Sequence, residues 1–308
     1  MTGESHASPL PRLLFFVGLF FVNCCLFTGA QFSPAPAAQS GTSSGSSTVL
    51  ISARNKDGTP AQLSQGDLEV RINGKQATVG EVRFLGRPAV RYCLLFDTSS
   101  SQRVGWTQQQ GDAAALLKIA QPGRDYGMLV SFSNEGYLDA ESTDPQELIR
   151  ALSKEIPRGG TALYDAVVAS SDHLSKTATE SELRVMFILS DGDDNASHVS
   201  REEALQTLVG AGVRVYAIRP RGIPHVSSRG AAALRDFGDK TGGMAYFPKK
   251  DKDLEKVFDD ISSNLSGVFA VTFTPGTDPR NRPSKLEIKC AKQGVSLIAP
   301  RGYFTPQQ

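Results

Sequence analysis

The sequence has few cysteines and almost no net charge, and both shortages narrow what the chain can be. Its 308 residues include four cysteines. They form no CxxC pair and no Cys/His cluster at zinc spacing, which excludes a zinc-finger-like protein. Lys and Arg number 33 against 32 Asp and Glu, giving a net charge of +1. No charge of one sign therefore points to nucleic acid or to an acidic surface as the partner.

Outside its first thirty residues the chain also lacks a long apolar run. Arg12 precedes the apolar residues 13–27, and the small residues Thr28-Gly29-Ala30 follow. This pattern is typical of a secretory signal peptide over residues 1–30, with cleavage after Ala30. As a helix the apolar run would cover about 22 Å, against about 30 Å for a bilayer core. We expect an exported protein, periplasmic or secreted, with no stable membrane span after cleavage.

Export would leave two cysteines, Cys93 and Cys290. Cys93 lies inside an apolar run, which favours a buried free thiol. A Cys93–Cys290 disulfide is the alternative in an oxidising compartment.

The composition changes several times along the exported part. Residues 31–47 are rich in Ser, Gly, Pro and Ala and predict a flexible linker. Residues 48–86 and 267–306 alternate apolar and polar residues, and Asn73-Gly74 in the first of these segments is a strong hairpin signal. Each segment is too short to bury its own apolar face. We expect the two segments to pair into one small antiparallel β unit.

Residues 87–266 alternate strand-like and helix-like segments. The strand-like runs are almost continuously apolar, as in parallel sheets covered on both faces. The first helix is predicted to follow Gln102, to about residue 120, and others to follow Thr161 and to run from about Asp251 to Leu265. Helix starts are also predicted at Asp144-Pro145 and at Ser200, where Glu203 completes a capping box. Residues 136–140 are expected to fold back as an antiparallel strand. The predicted fold class is α/β, a doubly wound, Rossmann-like and mainly parallel sheet flanked by the β unit.

Oxygen-bearing side chains stand at three points of this α/β segment where strands end or helices begin. They are Asp97, Ser99, Ser101, Thr161 and Asp191. Sites in such folds lie at the carboxyl ends of the strands, and residues two apart in an extended loop point the same way. Two carboxylates and three hydroxyls are hard oxygen ligands that suit Mg²⁺, Mn²⁺ or Ca²⁺. The two carboxylates only balance a divalent charge, so the cation would keep a position for an acidic group of a partner.

These residues resemble a known motif. The stretch DTSSS, residues 97–101, is similar to the DxSxS core of the metal-ion-dependent adhesion site in von Willebrand factor type A domains. Gly160-Thr161 and Ser190-Asp191-Gly192 match the other two elements of that site in order and approximate spacing. The resemblance covers residues 87–266. It implies the same five metal ligands, with the hydroxyls often binding the cation directly and one or both aspartates acting through water.

The whole exported part looks like bacterial proteins, well represented in Acidobacteria, that carry a von Willebrand A-related domain. The shared features include GGTALYDAV and the terminal Arg301-Gly302-Tyr303. That group commonly has Gly in place of Ser100 and Met in place of Gln102. The resemblance implies a binding or adhesion module, not an enzyme, that grips an Asp or Glu carboxylate of a protein partner through a divalent cation, with Mg²⁺ favoured.

Two other functions remain open from the sequence. Asp97 could be the nucleophile or a metal ligand of a metal-dependent hydrolase or phosphotransferase. Against this, Asp97-Thr98-Ser99 lacks the second aspartate that a phosphoaspartyl enzyme would use, and no lysine or histidine is evidently placed as a base. The chain could also be a scaffold whose metal site stays empty.

Residues close to the five ligands allow competing interpretations. Residues 191–202 half-match a calcium-binding loop, but Ala196 replaces its glycine and an apolar strand precedes it. We therefore interpret Asp193 and Asp194 as a solvated turn or as part of a candidate ligand rim. Arg219 and Arg221 could extend that rim with positive charge, whereas a solvated loop is the simpler interpretation.

Overall fold

The computed structural model describes residues 13–15, 46–222, 227–274 and 284–303. The expected signal cleavage after Ala30 and nearly all of the linker 31–47 lie outside the described residues. Within the described ranges, no helix combines the length and the apolar character needed to cross a membrane.

The strands, numbered in chain order, are β1 (Leu13–Phe15), β2 (Ser47–Asn55), β3 (Leu68–Ile72), β4 (Lys75–Gly86), β5 (Val90–Asp97), β6 (Tyr126–Phe132), β7 (Gly136–Ser142), β8 (Leu183–Leu189), β9 (Arg214–Ile218), β10 (Met244–Tyr246), β11 (Val268–Thr274), β12 (Ser284–Cys290), β13 (Val295–Ile298) and β14 (Gly302–Tyr303). The α-helices are α1 (Trp106–Leu117), α2 (Pro145–Leu152), α3 (Leu163–Thr177), α4 (Arg201–Gly210), α5 (Ser228–Thr241) and α6 (Asp251–Ser266).

The first sheet is mainly parallel, with strand order β1-β7-β6-β5-β8-β9-β10. β5 lies at its centre and pairs in parallel with both β6 and β8. β7 pairs antiparallel with β6, as expected for residues 136–140. β1, which lies within the predicted signal peptide, pairs antiparallel with β7 at the edge of the sheet. From β5 the chain first moves outward through β6 and β7 and then returns to the other side through β8, β9 and β10. The order therefore reverses between β5 and β8, where α/β folds place their ligand sites.

Helices cover both faces of this sheet, which explains its continuously apolar strands. Along β5, Cys93 and Leu95 point into the core that contains α3, α4 and α5, whereas Leu94 and Phe96 point into the core that contains α1, α2 and α6. All four side chains are fully buried. A strand covered on one face would alternate apolar and polar residues, and β5 does not need to.

The second sheet is built from the strands that precede and follow the α/β part, in the order β13-β2-β11-β4-β3-β12-β14. β2 pairs antiparallel with β11, placing Ile51 opposite Phe269, and β3 pairs antiparallel with β12, placing Val70 opposite Ile288. Ile51, Val70 and Phe269 are buried in one apolar core. The hairpin predicted at Asn73-Gly74 joins β3 to β4.

Both cysteines of the described chain are free, so the alternative of a Cys93–Cys290 disulfide is not realised. Cys93 is fully buried in the α/β core, whereas Cys290 is partly exposed at the end of β12. Burial raises the pKa of the Cys93 thiol to about 12, because the thiolate would lose its hydration.

Two helices differ from the sequence expectations. The first helix was expected to follow Gln102 directly. Instead, a 3-10 turn covers Ser100–Arg103, and Gly105, with φ of 73°, lets the chain turn before α1 begins at Trp106. Helix α5 was missed altogether, although Ser227 caps its start by accepting a hydrogen bond from the backbone of Gly230.

Candidate metal centre

The candidate site lies at the carboxyl ends of β5 and β8, on the two sides of the reversal in strand order. Asp97 is the last residue of β5, and Asp191 follows β8 after Ser190. Asp97 and Ser99 are each 1% exposed, and Asp191 is 5% exposed. Two carboxylates from neighbouring strands are therefore brought together in a nearly water-free position.

Hydrogen bonds fix the orientation of the Asp97 carboxylate. Its Oδ1 accepts from the backbone N–H of Ser99 at 2.9 Å, and its Oδ2 accepts from the hydroxyl of Ser190 at 2.6 Å. The N–H of Gly192 in turn donates to the Ser190 hydroxyl at 3.0 Å. Ser190 thus holds Asp97 from the neighbouring strand, a positioning role that the sequence had matched only as part of a motif.

The serine hydroxyls connect the two carboxylates. Ser99 Oγ and Ser101 Oγ are 3.0 Å apart, and Ser101 Oγ donates to Asp191 Oδ2 at 3.2 Å. Neighbouring ligands of an octahedral Mg²⁺ at about 2.1 Å are separated by about 3.0 Å. The spacing of the two serine oxygens therefore suits two neighbouring ligands of one such ion.

The loop that carries Thr161 lies against the loop that follows β5. The N–H of Ser100 donates to the carbonyl of Gly159 at 3.1 Å, and the N–H of Arg158 donates to the carbonyl of Thr98 at 2.7 Å. Thr161 is 4% exposed. The structure thus packs the loop that carries the fifth predicted ligand against the loop that carries Asp97, Ser99 and Ser101.

Asparagine side chains hold this loop in place, and sequence reasoning did not find them. Asn195 Oδ1 accepts from the N–H of Thr161 at 2.9 Å, and Asn134 Oδ1 accepts from the N–H of Gly160 at 2.5 Å. A Cβ on Gly160 would lie 2.8 Å from the Asn134 oxygen and 2.9 Å from the Asn195 oxygen. Position 160 therefore needs glycine for close approach, not for an unusual backbone angle.

The acidic part of the candidate rim forms internal contacts. Asp194 Oδ2 accepts from the backbone of Tyr164, in the first turn of α3, at 3.0 Å, and from the hydroxyl of Ser197 at 2.5 Å. Asp193 accepts a hydrogen bond from the hydroxyl of Ser227. These contacts are not those of a calcium-binding loop, because Asp194 supports α3 and Asp193 is tied to the start of α5.

The basic part of the candidate rim is also engaged elsewhere, which corrects the expectation for Arg221. Its guanidinium forms ion pairs with Asp112 on α1 and Asp251 on α6, and its side chain is 10% exposed. Asp112 raises the pKa of Arg221 above its usual value through hydrogen bonds. Arg221 therefore links two helices and does not lie free above the site. Arg219 is partly buried, and its Nε is buried without a hydrogen-bond partner.

Gln102 is a further site residue that the sequence did not predict as one. It is fully buried. Its Nε2 lies 3.3 Å from Asp97 Oδ2, 3.1 Å from Ser101 Oγ and 3.2 Å from Asp191 Oδ2. Glutamine is usually exposed, so nothing in the sequence pattern signalled this placement.

Burial makes both carboxylates weak acids in the protein without a cation. Desolvation raises the pKa of Asp97 to about 7, against which the hydrogen bonds from Ser190 and Ser99 act only in part. Desolvation also raises the pKa of Asp191, and the nearby charge of Asp193 adds to this rise. Burial makes the ionised form of both carboxylates costly. A bound cation would reduce that cost by supplying positive charge next to them.

The donor set fits a hard divalent cation. Carboxylate and hydroxyl oxygens are the ligand types of Mg²⁺, Mn²⁺ and Ca²⁺, whereas zinc sites are usually built from His and Cys. In the described part of the chain, no three His, Cys, Asp or Glu side chains come together in a way that could hold a metal ion. A site at this position would therefore depend on the hydroxyls as much as on the carboxylates.

Comparisons with known proteins agree with the fold. No protein-family model matches the sequence. An alignment 189 positions long, which covers 58% of this chain and 20% of the relative, shows 25% identity to calcium-activated chloride channel regulator 1 of Bos taurus. The chain therefore corresponds to about a fifth of this relative's length.

Solved structures with the same architecture include a von Willebrand factor type A protein from Catenulispora acidiphila. It matches 83% of this chain and 73% of its own length, with a TM-score of 0.50 and 11% identity. Proximal thread matrix protein 1 from the mussel byssus, solved with a zinc-occupied MIDAS motif, matches 60% of this chain and 47% of its own length, with a TM-score of 0.48 and 19% identity. The match to the Catenulispora acidiphila protein confirms the resemblance to von Willebrand factor type A domain proteins at the level of the fold.

Proposed function

We propose that this protein is an exported binding module that engages an acidic group of a protein partner through a divalent cation. The observation that carries the proposal is the cluster of side-chain oxygens at the ends of β5 and β8, within hydrogen-bond distance of one another. Asp97, Ser99, Ser101, Thr161 and Asp191 would hold the cation, with Mg²⁺ as the best fit and Mn²⁺ or Ca²⁺ as the other candidates.

Some of the predicted ligands would supply negative charge, and others would supply neutral oxygens at the right spacing. Asp97 and Asp191 supply two negative charges, which balance the cation without exceeding it. Ser99 and Ser101 supply neutral oxygens at the spacing of adjacent ligands. When bound, the cation would supply a positive centre at which a carboxylate from the partner completes the ligand set.

The surroundings of Asp97 support binding over catalysis. A nucleophilic carboxylate must reach its substrate, but Asp97 is 1% exposed and both its oxygens accept hydrogen bonds from Ser99 and Ser190. No described lysine or histidine hydrogen-bonds to Asp97 or Asp191. The geometry therefore favours a non-enzymatic role over a hydrolase or phosphotransferase that uses Asp97.

Exposed apolar side chains next in sequence to the ligand loops support a protein as the partner. Val104, which follows the Ser100–Arg103 turn, is 57% exposed, and Ile156, which precedes the Thr161 loop, is 62% exposed. Large exposed apolar side chains on such segments suit a contact with another protein.

Calorimetric titration of Mg²⁺, Mn²⁺ and Ca²⁺ tests the cation. Asp97→Asn should abolish or strongly weaken binding while preserving the size of the side chain. Asp144→Asn is the matched control, because Asp144 caps α2 and asparagine also caps helices well. Equal binding by the wild type and Asp97→Asn would refute the site, and turnover of phosphate or ester substrates that depends on Asp97 would refute the binding role.

Affinity capture tests the partner. The wild-type protein should retain a protein from an envelope fraction in Mg²⁺ and release it with chelator, whereas Asp97→Asn should not retain it. Retention that is insensitive to chelator would place the contact elsewhere on the molecule.

A further inference from the structure

The carboxamide of Gln102 points its hydrogens at the oxygen cluster and leaves its own oxygen unused. Nε2 is within 3.3 Å of Asp97 Oδ2, Ser101 Oγ and Asp191 Oδ2, whereas Oε1 is buried without a hydrogen-bond partner. Two amide hydrogens thus serve three acceptors, and the acceptors are atoms that the proposed function assigns to the cation.

These bonds complete the hydrogen-bonding capacity of the carboxylate oxygens. Asp97 Oδ2 already accepts from Ser190 Oγ at 2.6 Å, and Asp191 Oδ2 already accepts from Ser101 Oγ at 3.2 Å. A carboxylate oxygen offers two lone pairs. With the bond from Gln102 both oxygens are saturated, and a cation, or a water molecule that it carries, would compete for the same lone pairs.

Gln102 is the donor that can leave most easily. Ser190 is fully buried and is itself fixed by the N–H of Gly192, so it cannot withdraw without disturbing the end of β8. Ser101 is one of the expected ligands and can turn a lone pair to the cation while it still donates to Asp191. The Gln102 side chain, in contrast, can change rotamer and carry the whole amide away from the ligand oxygens without moving the backbone.

We propose that the Gln102 carboxamide is an internal competitor of the cation: its NH₂ group holds Asp97, Ser101 and Asp191 together in the metal-free protein and turns away before the cation binds. The inference rests on the proposed function, because it concerns the affinity of that same site. It follows that the metal-free site is kept in order, and that the cation binds more weakly than it would to the five ligands alone.

Gln102→Met tests the competitor, and Gln109→Met is the matched control. Methionine has a similar length and no amide hydrogens, so the ligand oxygens would be left free. Gln109 is also fully buried, but its Nε2 donates to the backbone carbonyls of Gln102 and Val104 and not to the ligands. Mg²⁺ titrations of all three proteins by calorimetry should be run at the same fixed pH.

For Gln102→Met we expect a Kd for Mg²⁺ at least about tenfold lower than that of the wild type, or about 1.4 kcal/mol. The same variant should melt at a lower temperature than the wild type in chelator, and saturating Mg²⁺ should reduce that difference. Gln109→Met should leave the Kd unchanged. An unchanged or higher Kd for Gln102→Met would overturn the inference, and a higher one would mean that the amide oxygen is itself a ligand.

The proposed function can fail separately. If neither the wild type nor Gln102→Met binds Mg²⁺, Mn²⁺ or Ca²⁺, the proposed cation site is wrong, and the proposed competition by Gln102 is refuted as well. If both bind equally, the site stands and the competitor alone is refuted.

Nuclear magnetic resonance of the ¹⁵N-labelled wild type gives a readout that does not depend on a variant folding. The side-chain NH₂ signals of Gln102 should shift as Mg²⁺ is added, and those of Gln109 should stay in place. Gln102 signals that do not move at saturating Mg²⁺ would overturn the inference.

Discussion

Asp97 shows how burial sets the chemistry of a single residue. Its position after a buried strand and the two-residue spacing to Ser99 and Ser101 were enough to predict it as a ligand. The sequence could not show how deeply the carboxylate is buried, and its raised pKa follows from that burial. Gln102 was missed for the same reason, because its contacts depend on the 3-10 turn at Ser100–Arg103, which no local pattern announces.

The raised pKa of Asp97 predicts a pH dependence of stability in the metal-free protein. Because the pKa is about 7 in the folded protein and 3.8 in its ordinary state, the neutral acid is favoured by folding. The stability that Asp97 contributes is fully present below about pH 4 and is lost as the pH rises through about 7. Asp97→Asn cannot ionise, so in chelator it should gain free energy of unfolding relative to the wild type as the pH rises.

Urea unfolding of both proteins in chelator, at several pH values between the two pKa values and above, measures this difference. Saturating Mg²⁺ should stabilise the wild type at high pH and not Asp97→Asn. A difference between the two proteins that stays constant with pH would contradict the burial argument.

Arg221 predicts a stability effect in place of the ligand contact considered from the sequence. Arg221→Met would leave Asp112, which is 7% exposed, as a buried and unpaired charge. Removing one partner of a buried ion pair lowers the free energy of unfolding by about 3 kcal/mol or more. Arg150→Met is the control, since Arg150 is 67% exposed and lies 3.9 Å from Glu147, and it should cost less than about 1 kcal/mol. Thermal and urea unfolding of both variants measure this difference in stability. Unchanged stability of Arg221→Met together with weaker partner binding would instead support Arg221 as part of the candidate ligand rim.

At the scale of elements, segments with a clear periodicity of apolar residues or a clear capping signal were predicted well, and glycine-containing segments were not. Helices α2 and α4 begin at the predicted caps Asp144 and Ser200. Helix α5 was missed because Gly230 and Gly238 weaken its pattern, although Ala233, Leu234 and Phe237 line one buried face. Those glycines serve packing, which a propensity argument does not register.

One such contact places α5 beside the site. A Cβ on Gly192 would lie 2.4 Å from the carbonyl oxygen of Gly230, and Gly192 itself has φ of 84°. The residue after Asp191 must therefore be glycine for α5 to approach. The glycine in the Ser190-Asp191-Gly192 element is thus explained by packing and backbone angle together.

Two glycine substitutions, one in the Thr161 loop and one on α1, test whether the position of this loop matters to the site. Gly160→Ala would push a Cβ against the oxygens of Asn134 and Asn195, so the loop must shift. Overpacking of this kind costs about 1–3 kcal/mol, and we expect the Kd for Mg²⁺ to rise about tenfold. Gly111→Ala, on α1, would meet no atom within 4 Å and should stabilise the protein by about 0.5–1 kcal/mol without changing the Kd.

Calorimetry and thermal unfolding of the two glycine variants provide the measurement. Equal Mg²⁺ affinity in both would show that the position of Thr161 does not matter to the site.

At the scale of the whole molecule, the two sheets are joined by buried polar contacts and by a strand of the second sheet whose side chains enter both cores. Arg214 of β9, 2% exposed, donates to the Ser52 hydroxyl at 2.6 Å and to the Leu50 carbonyl at 3.2 Å on β2. On β11, Val268 lies in the α/β core and Phe269 in the core of the second sheet. The period-two pattern of the two terminal segments indicated a β unit, but it carried no information on this junction, because long-range pairs leave no local signal.

This junction predicts that both sheets unfold together. Trp106, the single tryptophan, lies on α1 and reports on the α/β part, whereas far-UV circular dichroism reports on both sheets. The two probes should give coincident transitions, as expected for one cooperative unit.

Arg214→Met should lower the free energy of unfolding by about 2 kcal/mol or more, since it removes charged hydrogen bonds from buried acceptors. Arg83→Met, at a side chain that is 64% exposed, should change little. If the tryptophan transition separates from the circular dichroism transition in the wild type, the two sheets are independent units, and the site at the end of β5 does not depend on the second sheet for its stability.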